Sequence, residues 1–555
     1  MKTALSSFIL AAAMALGGSG NAAEPPHPAT TAAISASDLA ARDKAISDDA
    51  FQGRGPGTAA GERAADWIAD EMKRVGLKPG NGASYFQNVP AVSIALDPAR
   101  SSLSIAGPDG VIALNYADQA MWVTPHYEKS DVSITNAPLV FAGYGVVAPE
   151  ENWNDYAGID VRGKVVVVLI NDPGFVTHDN SLFKGRAMTY YGRWTYKYEE
   201  AARHGAAGVI IVHETEPAAY GWQVVRTSWA GAQSYLESPD KNNSMVALRA
   251  WVTEDTAKTL FKRAGLDYAA LRIAANKRGF KPMPMGRLTV SASMHSSVTR
   301  TVTRNVIGVV PGSKHPDDFV LYTAHWDHLG IKPELPGPDK IYNGAIDNGM
   351  GVASVLEIGE AFAKGAMPPE RSVAILCWTL EEQGLLGSEY FARHPLWPLN
   401  HIIAGVNIDG GLPAGPSRDM VVVGSGASEL EDLLAQVLKT QNRVISPDPE
   451  PEKGYFYRSD HISLAKVGIP MLDPDGGFDL VNGGTKAGQA VRDDYNAKRY
   501  HQPSDEFDPK WDLSGPLQDI AAYYEFGRRL ADSEPWPNWY RGNEFRAIRD
   551  RSLAR

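Results

Sequence analysis

The segment Tyr322-Thr323-Ala324-His325-Trp326-Asp327-His328 ends an apolar run in two histidines and a carboxylate. Two later apolar runs end the same way. Val373 to Leu380 leads into Glu381-Glu382, and Ile402 to Ile408 leads into Asp409. Between them Asp347 stands in the glycine-flanked turn Gly344-Ala345-Ile346-Asp347-Asn348-Gly349, and His501 follows in Tyr500-His501-Gln502-Pro503-Ser504-Asp505. Imidazole nitrogens and carboxylate oxygens are donors for zinc-like metals, and a catalytic metal keeps one position open for water. Carboxyl ends of strands are where an open α/β sheet builds its sites. Two metals about 3.5–4 Å apart need a bridging carboxylate to hold their charges that close. Asp347 suits that task, although alone it would read as a helix N-cap.

Each remaining residue has an ordinary reading beside the chemical one. His325 and Asp327 lie two apart, so a continuing strand would point both the same way. His325 would then bind metal, and Asp327 would orient its other ring nitrogen. Adjacent carboxylates such as Glu381 and Glu382 usually form a solvated surface pair, but a buried apolar run leading straight into them argues otherwise. One can bind metal while its neighbour serves as general base, a role that needs a raised pKa. Asp409 alone is a turn-forming Asp-Gly, and His501 alone is a loop histidine. His328 is an additional histidine without an assigned role. The information lies in the whole set and its order.

That order is His-x-Asp, Gly-x-x-Asp-Asn, Glu-Glu-x-Gly-Leu-x-Gly-Ser, Asn-x-Asp, Ser-Asp-His and Tyr-His. It resembles the M28 family of co-catalytic zinc aminopeptidases and carboxypeptidases, from near residue 300 to near 510 and more loosely over the N-terminal helices. The resemblance implies two zinc ions per chain. Asp347 would bridge them, His325 and Asp409 would complete one, and Glu382 and His501 the other. Glu381 would be the general base, and the Asp347-Asn348 peptide would be cis. An oxyanion-stabilising tyrosine often precedes Ser459-Asp460-His461. Tyr455 and Tyr457 compete for that place, and Tyr457 is taken as the catalytic one. Gly410 after Asp409 and Gln502 after His501 are mild departures that remove no ligand.

The elements that must position these residues follow from periodicity. Strands are expected at Asn305–Val310, Phe319–Ala324, Val373–Leu380, Ile402–Ile408 and Met420–Val423. Helices are expected at Gly351–Lys364, Leu385–His394, Glu429–Thr440 and Leu517–Ala531. Alternation of this kind implies an α/β fold, a mainly parallel or mixed sheet flanked by helices. Two N-terminal helices, Ser37–Asp49 and Ala60–Val75, flank the glycine-rich Phe51–Thr58. That loop lacks the Lys-Ser/Thr of a phosphate loop and reads as a structural turn. Residues 96–290 read as an inserted β-rich domain, with strands at Leu139–Phe141, Lys164–Asn171 and Gly208–His213 and a helix at Trp194–His204. This region resembles a protease-associated (PA) domain through Gly143-Tyr144-Gly145-Val146, the stretch Asp155 to Val167, and Lys197 to Val212. Such a domain would lie over the active site and limit substrate size. Trp194 or Trp222 could cap the pocket that Arg458 and Tyr455 to Tyr457 shape. The expected division is 1–23 signal peptide, 24–95 first part of the catalytic domain, 96–290 insert and 291–555 catalytic domain.

Bulk properties bound the function. A chain of 555 residues, 44% hydrophobic and 21% charged, is globular with more than one core. A formal charge of −11 argues against nucleic acid as a partner, because phosphate binding needs clustered cations. Met1-Lys2-Thr3, an apolar stretch to Leu16 and small residues to Ala23 form the pattern of a cleaved secretory leader. No later run would insert in a membrane. The single cysteine, Cys377, sits mid-run and reads as core. The expectation is a periplasmic or extracellular exopeptidase, most simply an aminopeptidase acting on peptides. Alternatives on the same scaffold are a carboxypeptidase, a dipeptidase or a glutaminyl cyclase. A dead receptor module is disfavoured because all five ligands and Glu381 are present. A serine hydrolase is disfavoured by the lack of a Gly-x-Ser-x-Gly elbow between a strand and a helix.

Overall fold

The structure is a computed structural model that describes residues 23–333 and 337–554. The expected leader, apart from residue 23, lies outside the described residues. At the centre is a large mixed sheet in which Met471–Leu472, Ile402–Asn407, His315–His325, Arg371–Trp378 and Met283–Val310 lie side by side. The first four run parallel to their neighbours, and Met283–Val310 is antiparallel to Arg371–Trp378. Every residue of Arg371–Trp378 is buried, as expected of a strand covered on both faces. Cys377 is fully buried within it, and burial pushes its thiol up. The helices Met350–Lys364 and Ser514–Ala531 pack against these strands.

Three elements differ from expectation. The first helix ends at Ile46, where the Ser47 hydroxyl turns back to the Asp43 carbonyl at 2.6 Å, and Asp49–Arg54 forms a 3-10 turn. The strand at 419–422 leaves the main sheet and pairs with Val444–Pro447 and Pro474–Gly476 in a small sheet of its own. Met283–Val310 is a single strand of 28 residues. Its first part pairs with Asp131–Phe141 and Ser102–Gly107, its second with Phe86–Leu96 and Arg371–Trp378. One ladder therefore joins the two regions, and position 290 falls inside it. Beyond that strand, Asp131–Phe141, Val165–Leu169, Gly208–His213 and Leu248–Thr253 form a parallel ladder with helices Trp194–Arg203 and Glu254–Arg263 packed on it. Among the described residues no helix is long and apolar enough to cross a membrane.

One buried guanidinium fastens the N-terminal helices to the helix that starts at the candidate site. Arg42 is fully buried. It donates to Glu71 Oε1 at 3.0 Å and pairs with Glu357 and Glu360 on Met350–Lys364. Removing one partner of a buried ionic cluster leaves the others uncompensated. Arg42→Met is therefore expected to cost about 3–5 kcal/mol of stability, read as a lowered denaturation midpoint. An unchanged midpoint would contradict this account.

Candidate metal centre

His325 ends its strand in register with Trp378, and Thr323 is in register with Asn407. Glu381 and Asp409 follow these neighbouring strands, so three parallel strands deliver three of the candidate ligands or their neighbours to one edge. Asp347 arrives from the turn before the helix Met350–Lys364, and its peptide bond to Asn348 is cis. His325 Nε2 lies 3.2 Å from Asp347 Oδ1 and 3.2 Å from Asp409 Oδ1. His501 Nε2 lies 3.1 Å from Asp347 Oδ2 and 3.2 Å from Glu382 Oε2. The two oxygens of Asp347 thus face different histidines. Donor atoms of His325, Asp347 and Asp409 form one compact group, and those of His328, Asp347 and Glu382 form a second. All five predicted ligands are brought together.

The surrounding residues hold each ligand in place. Thr323 donates to Asn407 Oδ1 at 2.7 Å, Asn407 donates to Ser459 Oγ at 2.8 Å, and Ser459 donates to Asp409 Oδ2 at 2.6 Å. Asp505, fully buried, accepts the amides of Ile346 at 3.1 Å and Asp347 at 3.0 Å. Asn348 Oδ1 accepts the amides of Gly351 and Gly410, both at 3.0 Å, tying the Asp347 turn to the Asp409 loop. Gly344 has φ +57°, and a Cβ there would sit 2.6 Å from the His328 ring, so no larger residue fits. The glycine-rich turn contributes Arg54. Its buried guanidinium donates to the carbonyls of Trp326 and Gly344, both at 2.8 Å, and of Asn343. It clamps the end of the His325 strand to the start of the Asp347 turn. Sequence reasoning missed Arg54, Asp505 and Ser459. Of these, Arg54 in its glycine-rich loop and Ser459 in the Ser-Asp-His motif carried a local signal.

Two sequence-based roles need correction. The Asp327 carboxylate is 3.9 Å from His325 Nδ1. The ring nitrogen instead meets the Asp327 backbone carbonyl at 3.1 Å. The carboxylate accepts the amides of Glu381 at 3.1 Å and Glu382 at 3.4 Å. It positions the tandem glutamates, because the chain leaves the strand after His325 and the alternation rule lapses. Tyr457 does not reach the centre. Its hydroxyl donates to Glu544 Oε1 at 2.8 Å within a separate apolar cluster. Tyr455, with Tyr495 and Tyr500, lines the cavity that holds His325, Asp347, Glu381, Asp409 and His501. His328, unassigned from sequence, contacts Glu382 Oε1 through Nδ1 at 2.6 Å. In the Ser-Asp-His motif, Asp460 accepts from Ser388 at 2.5 Å, and His461 is buried, which pulls its imidazole down to about 4. Trp194 and Trp222 pack on an apolar cluster of the insert and do not line the cavity.

Charge is concentrated here. Burial pulls the His501 imidazole down, but hydrogen bonds to Asp347 and Glu382 outweigh it and push it up to about 10. His325 is likewise raised against burial, by Asp409, Glu381 and Asp347. Burial raises the Asp347 carboxyl, yet the two histidines hold it well below the usual range. Burial pushes Asp327 up to about 6 and, with the neighbouring carboxylates, raises Glu381 well above normal. Two groups of nitrogen and oxygen donors sharing one carboxylate fit zinc. His328 Nε2, buried without a hydrogen-bond partner among the described residues, marks a site whose polar groups are not all satisfied by the described protein atoms.

A mixed α/β sheet with imidazole and carboxylate donors at the ends of parallel strands has the make-up of a metallopeptidase. Residues 305–525 match the profile of peptidase family M28, and residues 134–245 match that of the PA domain. The chain thus carries a region similar to peptidase family M28, with a match to the PA domain ahead of it. Aminopeptidase NAALADL1 of Mus musculus is 32% identical over 139 residues, covering 24% of this chain and 17% of the relative. A probable glutamate carboxypeptidase of Arthroderma benhamiae is 27% identical over 485 residues, 75% of this chain and 60% of the relative. The matches therefore span less than two thirds of these relatives' lengths. A solved aminopeptidase from Aneurinibacillus sp. strain AM-1 superposes with a TM-score of 0.47 at 18% identity, over 91% of this chain and 95% of that one.

Two outcomes test the centre. Adding zinc to chelated protein at pH 7 is expected to release protons, because the His501 imidazole, pushed up to about 10, must lose a proton to ligate. Calorimetry in two buffers of different ionisation enthalpy reads the number, and zero release would contradict the geometry. Asp327→Ala frees the amides of Glu381 and Glu382, and is expected to weaken zinc binding about 10- to 100-fold in chelator competition.

Proposed function

We propose that this chain is a secreted exopeptidase with two zinc ions that removes N-terminal residues from peptides. The observation that carries the reading is the sharing of Asp347 between two donor groups, with Glu381 in the wall of the same cavity of about 410 Å³. In this reading His325, Asp347 and Asp409 hold one ion. Asp347, Glu382 and His501 hold the other, with His328 fixing Glu382. When bound, zinc polarises the scissile carbonyl and acidifies water. Glu381 takes the proton from the attacking water and returns it to the leaving amine. Its backbone is held by Asp327, so the carboxylate is aimed without a strong tie of its own. The boundaries of the insert, near 96 and 290, belong to the same proposal.

Charge in the cavity favours an amino terminus. Beyond the proposed ligands and Glu381, its wall carries Asp448, Glu450, Asp473 and Asp475 against Arg458 and Arg492. Arg492 is already held by Asp475. A surplus of carboxylates suits an ammonium group better than a carboxylate. One observation supports the second reading, a carboxypeptidase: among the described residues Arg458 Nε is buried without a hydrogen-bond partner, and its guanidinium stacks 5.3 Å from the Tyr455 ring.

Glu381→Gln is expected to lower kcat by roughly 10²- to 10⁴-fold while leaving zinc content unchanged. Leucyl-p-nitroanilide hydrolysis, elemental analysis and mass spectrometry of digested peptides check both parts. Loss of zinc with activity would make Glu381 a ligand instead, and release of carboxyl-terminal residues would establish the second reading.

A further inference from the structure

A second cavity, of about 250 Å³, adjoins the first, and Asp448 and Tyr455 line both. Three distant stretches wall it: Lys184, Ala187 and Met188 of the insert, the loops at 424–427 and 447–457, and Asn543 with Glu544 of the C-terminal segment. These stretches are fastened to one another. The Met188 amide donates to the Pro451 carbonyl at 3.1 Å. Lys466 donates to Glu199 of the insert at 2.8 Å. The C-terminal segment is anchored by buried Trp539, whose indole donates to the Gly468 carbonyl at 2.9 Å, and by buried Phe545. The segment that carries no role in sequence terms therefore delivers a carboxylate beside the catalytic cavity.

The chemistry of this cavity is specific. Met188, Ala427, Pro447 and Phe456 supply apolar wall. The Glu544 side chain is only 6% exposed. Its Oε1 accepts from Tyr457 at 2.8 Å. Its Oε2 lies 4.0 Å from the half-exposed Lys184 ammonium, beyond hydrogen-bond reach. Among the described residues that oxygen has no hydrogen bond, and Lys184 is its only ion-pair partner. A buried carboxylate with a free oxygen gains most from a cationic donor, and an apolar approach suits a long aliphatic stem.

We propose that this cavity is a side-chain subsite for lysine or arginine at the residue following the scissile bond, with Glu544 as its anchor. The inference rests on the exopeptidase reading and adds a substrate preference to it. The test is kcat/KM for peptides Leu-Xaa-Ala-Gly, with Xaa lysine, arginine, norleucine or glutamate, and products identified by mass spectrometry. Lysine and arginine are expected to exceed norleucine, an uncharged side chain one atom shorter than lysine's, by about tenfold or more, as a charge-assisted hydrogen bond supplies. Glu544→Gln keeps an acceptor for Tyr457 and is expected to bring the ratio near one, mainly through KM. Lys184→Ala, at an exposed position, removes the competing cation and is expected to raise the ratio. Ala187→Phe narrows the cavity and is expected to slow all four peptides. A lysine-to-norleucine ratio near one in the unaltered protein, or one that neither Glu544→Gln nor Lys184→Ala moves, would overturn the subsite. Release of glycine in place of leucine would overturn the aminopeptidase reading, and the same digests would still report the charge preference.

Discussion

A single carboxylate has to serve two histidines at once, and the rest of the centre is arranged around that demand. Asp347 presents one oxygen to His325 and the other to His501. Asp409, Glu381 and Glu382 crowd the same space. Like charges that close would repel by several kcal/mol at low dielectric. The surroundings answer with imidazoles whose basicity the carboxylates raise, with the backbone amides donated to Asp327 and Asp505, and with the nearby Arg54 guanidinium. Bound dications would take over the neutralising role that protons hold in their absence, so metal and proton compete for the same histidine nitrogens.

Placement of the carboxylates depends on rigid elements far from them. Parallel strands fix His325, and the following turns fix Glu381 and Asp409. Register between Thr323 and Asn407 starts a directed chain of hydrogen bonds that ends on Asp409. Arg54 bridges the end of the His325 strand to the turn carrying Asp347, and Arg42 fastens the N-terminal helices to the helix that follows that turn. The 28-residue strand carries the insert as an extension of the same sheet. Its loops are thereby brought to the neighbouring cavity, where the C-terminal segment completes the wall.

The parts legible in the sequence were those written in local pattern. Continuous apolar runs marked buried parallel strands, and their abrupt ends in His325, Glu381 and Asp409 marked the edge where ligands gather. The helix Ala59–Val75 follows the spacing of its apolar positions, with Thr58 capping its start and left-handed Gly76 its end. Reading failed where local geometry changed. The two-residue alternation placed Asp327 beside His325, but the strand stops at His325. Tyr455 and Tyr457 were hard to separate by spacing alone. A 3-10 turn at 455–457 rotates successive residues by about a third of a turn, so Tyr455 borders both cavities while Tyr457 borders only the second.

By itself the sequence determined an α/β sheet, the residue types of the centre and their order, because apolar periodicity and ligand chemistry are properties of neighbouring residues. Only the tertiary structure decided which side chains meet. Arg54 and Gly344 are 290 residues apart, Asp505 and Asp347 are 158 apart, and Glu544 reaches Tyr457 across 87. No local pattern encodes such contacts. They arise when helices and loops from separate stretches must bury their apolar faces on one sheet, and the polar groups carried along find partners in the space that remains.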